Sequence, residues 1–376
     1  SNVYEAALNG ISEDVRPWAA QSDLIITANF DSSFIDATPT SLTKWFRELR
    51  NLKGITNLDY HSINSLQVTD TSYMFDHTGY NVTTPTSSDR FVINFALSAN
   101  RVTDASYMFA YAGYSASRVE IQPGGIIGNN SLRNISHIFD HAGYSATSFD
   151  LNHWSFDGWS NLRDVDASYA FAYTAYSLRF PSSSGASRIT LPSYFRPTST
   201  SHMFDHAFYT AQGDFALVRL ETWEVYRVTD MSYMFSYAFY SNRQPFNLSL
   251  FPLRSNVAEV DLSYMFDHAG CSASSFTLSN IQSWQVSRVT NMSHMFDHAG
   301  YDSFGSFDLG QLGGWDVSRV TDMSYMFDSA GYRSTTWNIG NISNWNVAKI
   351  TNHEGFINLN ISDSNASVVN NQPNWP

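Results

Sequence analysis

Three places in the chain read His-x-x-Asp-His: His137/Asp140/His141, His202/Asp205/His206 and His294/Asp297/His298. Two histidines four residues apart on one helical face can chelate Zn, Ni or Cu; alternatively, the Asp between them serves only to orient an imidazole by a hydrogen bond. A metalloprotease helix would place Glu directly after the first His, and no third ligand accompanies any of these pairs. The chain also lacks a Gly-x-Ser-x-Gly elbow, a phosphate-cradling glycine loop and a dinucleotide fingerprint. A divalent transition metal at the His pairs is therefore the one cofactor these residues offer. No catalytic constellation stands beside it, and the expectation is that the protein is not an enzyme.

The histidines belong to a longer series. The string Ser-(Tyr/His)-x-Phe recurs nine times, with its Phe at 75, 109, 139, 171, 204, 235, 266, 296 and 327. The residues two before and two after each Phe are Tyr73/His77, Tyr107/Tyr111, His137/His141, Tyr169/Tyr173, His202/His206, Tyr233/Tyr237, Tyr264/His268, His294/His298 and Tyr325/Ser329. Every one but Ser329 is Tyr or His. On a helix these positions share one face, opposite the apolar stripe, so they predict an aromatic ladder along the molecule. Such a ladder either covers neighbouring helices as an outer hydrogen-bonded layer or forms a contact surface, for which Tyr is a favoured residue. The second position also alternates, Asp-His exchanging with Ala/Ser-Tyr over seven repeats. This two-repeat rhythm fits hydrogen bonding between adjacent rungs, or a partner that repeats every second coil.

The elements that must position these residues follow from the period of about 31 residues, which is that of a solenoid. In one well-formed unit Val320, Met323, Met326, Phe327 and Ala330 lie at helical spacing, with Thr321 or Asp322 as N-cap and Gly331 as the terminating glycine. Short alternating runs such as Phe91–Phe95, Phe149–Leu151, Phe215–Leu217, Phe246–Leu248, Phe276–Leu278, Phe307–Leu309 and Trp337–Ile339 read as half-buried strands. The expected fold is an α/β repeat solenoid, leucine-rich-repeat-like, with one short strand and one short helix per repeat and a parallel sheet. Residues 1–60 read as an N-terminal cap with an amphipathic helix over 40–52. Residues 61–356 carry nine repeats and a degenerate tenth, Ile350 to Phe356, and 357–376 form a C-terminal cap or tail.

Composition narrows the function classes. Charged residues are only 15%, acids outnumber bases 34 to 21, and the net charge of −13 opposes binding to a phosphate backbone. The single Cys271 excludes an internal disulfide framework; it replaces the Tyr of a column that includes Tyr144, Tyr301 and Tyr332, and reads as a packed thiol. No run is long and apolar enough to span a bilayer. The chain begins at Ser1 and is lysine-poor, which suits an exported protein whose leader has been removed. The Asp residues that open the repeats (Asp70, Asp104, Asp230, Asp322) read as caps, not acid/base pairs. Asn-x-Ser/Thr occurs at Asn81, Asn134, Asn247, Asn291, Asn341 and Asn360, with Asn134 and Asn291 in that same capping position.

Ala37-Thr38-Pro39-Thr40-Ser41 followed by Trp45-Phe46, then Asn57-Leu58-Asp59, then the repeated Trp-x-Val-x-x-Val-Thr-(Asp/Asn)-Met-Ser-x-Met-Phe resembles the BspA-like leucine-rich repeats of bacterial surface proteins. The clearest copies are Trp223–Phe235, Trp284–Phe296 and Trp315–Phe327, and the resemblance spans roughly residues 30–356. It departs from that pattern after the Phe, where Asp-His or Ala-Tyr replaces small residues. The resemblance implies an extracellular or surface-attached, non-catalytic protein acting in adhesion or in recognition of a protein or glycan. A structural subunit that polymerises into an extracellular filament or layer, through the aromatic stripe and the solenoid ends, is the second expectation.

Overall fold

A computed structural model describes residues 16, 18–30, 32–59, 64–86, 90–96, 100–124, 131–150, 162–179, 187–213, 215–254, 259–358 and 371–376. The expected cap before residue 16, strand residue Leu151 and Asn360 lie outside these. The chain divides into two compact units, Ser1–Leu178 and Arg179–Pro376. Each is a β-solenoid whose coils hydrogen-bond in parallel. In the first unit the strands Gly54–Asp59, Phe91–Ala96, Arg118–Gly124 and Ser148–Asp150 follow one another in a four-stranded sheet. In the second, Phe246–Ser249, Phe276–Ser279, Ser306–Asp308 and Thr336–Asn338 do the same. Their period-two alternation puts Phe246 and Leu248 inside and Asn247 and Ser249 outside, as half-buried strands require.

The expected helices are absent: among the described residues the only helical pieces are short 3₁₀ turns such as Ile281–Ser283. The Ser-(Tyr/His)-x-Phe segments form a ribbon of successive turns. In the coil around Phe75 the N–H groups of Met74, Asp76 and Thr78 bond back three residues, to Thr71, Tyr73 and Phe75 at 3.0–3.2 Å. The N–H groups of Tyr73, Phe75 and His77 instead reach the next coil, at the carbonyls of Ser106, Met108 and Ala110, at 2.8–2.9 Å. An α-helix would bond every N–H four residues back. Here half of them tie coil to coil. The geometry closes because Tyr73 and His77 take positive φ, both 56°, at the third position of their turns, which is the type II signature.

The segment 40–52, expected as a helix that caps the stack, is such a coil itself. Leu42, Lys44, Phe46 and Glu48 donate to the carbonyls of Asp70, Ser72, Met74 and Asp76, and Lys44 and Glu48 take φ of 61°. The residues expected as helix N-caps close Asx turns instead: Asp70, Asp104, Asp230 and Asp322 each accept the N–H two residues on, at 2.8–2.9 Å. Gly331, expected as a helix terminator, sits at φ 53° in this ribbon, and only glycine fits because a Cβ there would lie 2.5 Å from Phe307 Cβ.

The nine phenylalanines are buried and stack coil on coil. Phe46, Phe75, Phe109, Phe139 and Phe171 are 5.1–5.4 Å apart in the first unit. Phe204, Phe235, Phe266, Phe296 and Phe327 are 5.3–5.5 Å apart in the second. A second spine in the latter unit is polar at one point per ring: buried Trp223, Trp284, Trp315 and Trp345 donate Nε1–H to the carbonyls of Pro192, Phe251, Ile281 and Leu312 at 2.9–3.1 Å. No helix of the described structure is long and apolar enough to cross a membrane.

Candidate functional site

The turn ribbons place all seventeen Tyr and His slots half-buried on the outer side of the coils, at φ between 51° and 57°. A non-glycine residue pays about 1–2 kcal/mol for that backbone. Ring stacking offsets it. In the first unit Tyr73, Tyr107, His137 and Tyr169 form one column with centroids 4.3–4.6 Å apart, and His77, Tyr111, His141 and Tyr173 a second at 4.4–4.5 Å. In the second unit His202, Tyr233, Tyr264, His294 and Tyr325 stack at 4.4–4.8 Å, and His206, Tyr237, His268 and His298 at 4.4–4.6 Å. Each parallel pair is worth about 0.5–1.5 kcal/mol beyond its buried area, enough to balance the strained backbone.

A third column completes the face. Tyr80, Tyr114, Tyr144 and Tyr176 stack at 4.6–4.8 Å, and Tyr209–Tyr240 and Tyr301–Tyr332 continue the pattern in the second unit at 4.7 and 5.1 Å. Its signal was the Tyr five residues after the Phe in eight of nine repeats. The exception is Cys271, a buried thiol whose pKa burial pushes up. The resulting surface is three rings wide. Ring faces are covered by their stacked neighbours, so the half-buried rings meet solvent chiefly along their edges.

One carboxylate organises each histidine pair. Asp140 accepts from His137 Nδ1 at 2.8 Å and His141 Nδ1 at 2.6 Å, Asp205 from His202 at 2.8 Å and His206 at 2.6 Å, and Asp297 from His294 at 2.7 Å and from His298. These three Asp side chains are buried. Burial pushes their pKa values up, but the imidazole hydrogen bonds outweigh it and hold all three below the usual carboxylate range. The His pairs expected as metal chelators thus share an acceptor at Nδ1, so a metal must displace that carboxylate or bind at Nε2. Two mixed clusters also gather ligand atoms within 4.8 Å of one another: Glu48, Asp76 and His77, and Asp297, His298 and Asp328. In the first, Arg47 Nε already lies 2.9 Å from Asp76 and its guanidinium covers the Tyr73 ring.

Burial also raises the tyrosine pKa values along the columns, at Tyr107, Tyr111, Tyr114, Tyr233 and Tyr264, with Tyr237 reaching about 12. Of the Asn-x-Ser/Thr sites, Asn134 and Asn291 are half-buried and donate to Asp104 and Asp261 while accepting from Ser136 and Ser293. They are structural rungs.

In each unit a periodic stack of parallel coils with organised ring columns defines a repeat solenoid. Residues 198–300 and 260–372 each match the model of a family described as "Mycoplasma protein of unknown function, DUF285". Together these matches cover a little under half of the chain. No curated protein and no solved structure matches it.

Proposed function

We propose that this chain is a non-catalytic recognition protein, exported and working outside the cell or on its surface, that presents the ring columns of its units to a protein or glycan. The three-column aromatic face carries the proposal. Its strained slots are filled with Tyr and His, whose stacked faces offset the backbone cost and leave only ring edges to a partner. With the faces occupied, a partner meets rows of hydroxyl and imidazole groups, which favours hydrogen bonding over the stacking of sugar rings. The resemblance to BspA-like surface repeats and the lysine-poor, weakly charged composition support the same setting.

Polymerisation through solenoid ends is less well supported. In the first unit buried Arg16 donates to the carbonyls of Lys44, at 3.0 Å, and Arg47, and Phe30 and Phe34 pack edge-on against Phe46 and Trp45. In the second, Trp375 stacks on His353 at 4.4 Å and packs against Phe356. Each of these coils is covered by its own chain. Light scattering and negative-stain microscopy of purified protein test the choice: discrete particles are expected, and filaments would reverse it. Replacing Tyr111, Tyr173 and Tyr237 together by Phe keeps the stacks and removes hydroxyls; adherence of protein-coated beads to host cells should fall while the unfolding temperature holds. Unchanged adherence would move recognition off this face.

A further inference from the structure

We propose that a column of cations at one corner of the second unit, Arg288, Arg319 and Lys349, is a binding strip for an acidic polysaccharide in which uronate sugars alternate with neutral ones. This rests on the recognition reading above and names its ligand class, at residues other than those of the ring columns. The three residues are in register. Two positions on, Thr321 N–H donates to Thr290 at 2.9 Å and Thr351 N–H to Thr321 at 2.8 Å, so the side chains leave the same corner of successive coils about 4.8 Å apart. Each directly precedes a buried anchor, Val289, Val320 or Ile350, which holds its backbone in place.

Like charges on neighbouring strands repel, and a chain with 18 Arg and only three Lys in 376 residues has spent three cations here. Among the described residues one acid pairs with the column: Glu259 accepts from Arg319 Nη2 at 2.8 Å. Glu259 lies in register with Arg288, because Val260 pairs with Val289, so Arg319 reaches back past the Arg288 coil. The carboxylate of Asp316, three residues before Arg319, turns to the Ser318 N–H at 3.1 Å. Among the described residues no carboxylate pairs with Arg288 or Lys349, which stand two coils and about 10 Å apart. A polysaccharide whose every second sugar carries a carboxylate presents anions at a matching two-step rhythm. The net charge of −13 disfavours denser polyanions such as nucleic acid, which require a broadly positive face.

Hyaluronan oligosaccharides, heparin, neutral dextran, poly-glutamate and single-stranded DNA are the probes, measured by titration calorimetry with the full chain. Hyaluronan fragments should bind saturably and dextran not at all, and raising salt from about 0.05 M to about 0.3 M should weaken binding several-fold. Arg288→Gln with Lys349→Gln should weaken hyaluronan about tenfold or more with no change in unfolding temperature, since Lys349 is exposed and Arg288, half-buried, keeps its aliphatic stem as Gln. Glu259→Gln, which frees Arg319, should tighten it two- to fivefold. Absent hyaluronan binding, binding indifferent to these variants, or tighter binding of heparin, poly-glutamate or DNA would each overturn the proposal. The Tyr→Phe variant keeps the two readings apart: it should leave hyaluronan affinity unchanged whatever it does to cell adherence.

Discussion

In the first unit, buried carboxylates come on alternate coils: Asp76, then Ala110, Asp140 and Ala172. The second unit starts in the same way, with Asp205, Ser236 and Asp267, but there Asp267, Asp297 and the half-buried Asp328 then follow on consecutive coils. Asp140 is held by two imidazoles and its pKa falls; Asp267 has only His268, at 2.6 Å, and its pKa is raised, first by burial and then by neighbouring Asp297. Where carboxylates crowd, the cationic form of the adjacent imidazole is favoured: His298 is raised, chiefly by its bond to Asp297, with Asp328 and Asp267 adding. The two-repeat rhythm therefore has a reason inside the molecule. It keeps buried negative charges about 10 Å apart and gives each its own imidazoles.

The sharpest way to break that comparison is to put a carboxylate on a resting coil. Ala110→Asp buries a charge beside Tyr111, with no imidazole in its own coil, and should cost about 3–5 kcal/mol in urea unfolding. Adding Tyr111→His should recover part of it; no recovery would show that alternation is not about pairing. Removing the charge from a two-imidazole rung, Asp140→Asn, should cost about 2–3 kcal/mol near neutral pH. Asp267→Asn should cost less than about 1 kcal/mol, because its ionised form is already disfavoured; equal losses would erase the distinction between the two regions.

Tyr107→Ala removes the stack and keeps the left-handed backbone, whereas Tyr107→Gly relieves that backbone. Glycine should be the less damaging by about 1 kcal/mol, a sign opposite to that in an ordinary helix, and denaturant midpoints decide it. The smallest effects are those of pH. Asp140, Asp205 and Asp297 have folded pKa values below their unfolded ones, so their contribution is present above about pH 4 and is lost as pH falls further; Asp267 acts in the opposite sense. Tyr107, Tyr111, Tyr114, Tyr233, Tyr237 and Tyr264, raised in the fold, contribute fully below about pH 10, and that contribution fades as pH rises. For Tyr237 the loss runs to about 12. Phenolate absorbance should accordingly show a late-titrating class that merges with the rest once the protein is unfolded.

Much of this was legible in the residues. The Phe at a constant interval required stacked coils, because one repeat cannot bury its own apolar stripe. The alternating runs marked the strands, and the Tyr and His slots marked a single face. The third tyrosine column was equally visible and went unread, since Ala-Gly-Tyr resembles a helix ending. The role of the Asp in each His pair needed coordinates: the sequence allows either a metal between the imidazoles or a carboxylate holding them.

Composition and spacing alone determined that the chain repeats, which rings lie inward and which outward, and where charge is rationed. The tertiary structure decided what the repeated segment is. Apolar residues three and four apart suit a helix and a ribbon of type II turns equally well, so local pattern leaves the two undistinguished. The choice falls to backbone N–H groups whose acceptors lie some thirty residues away in the next coil, and to rings that stabilise a left-handed backbone only once a neighbouring coil supplies another ring to stack on.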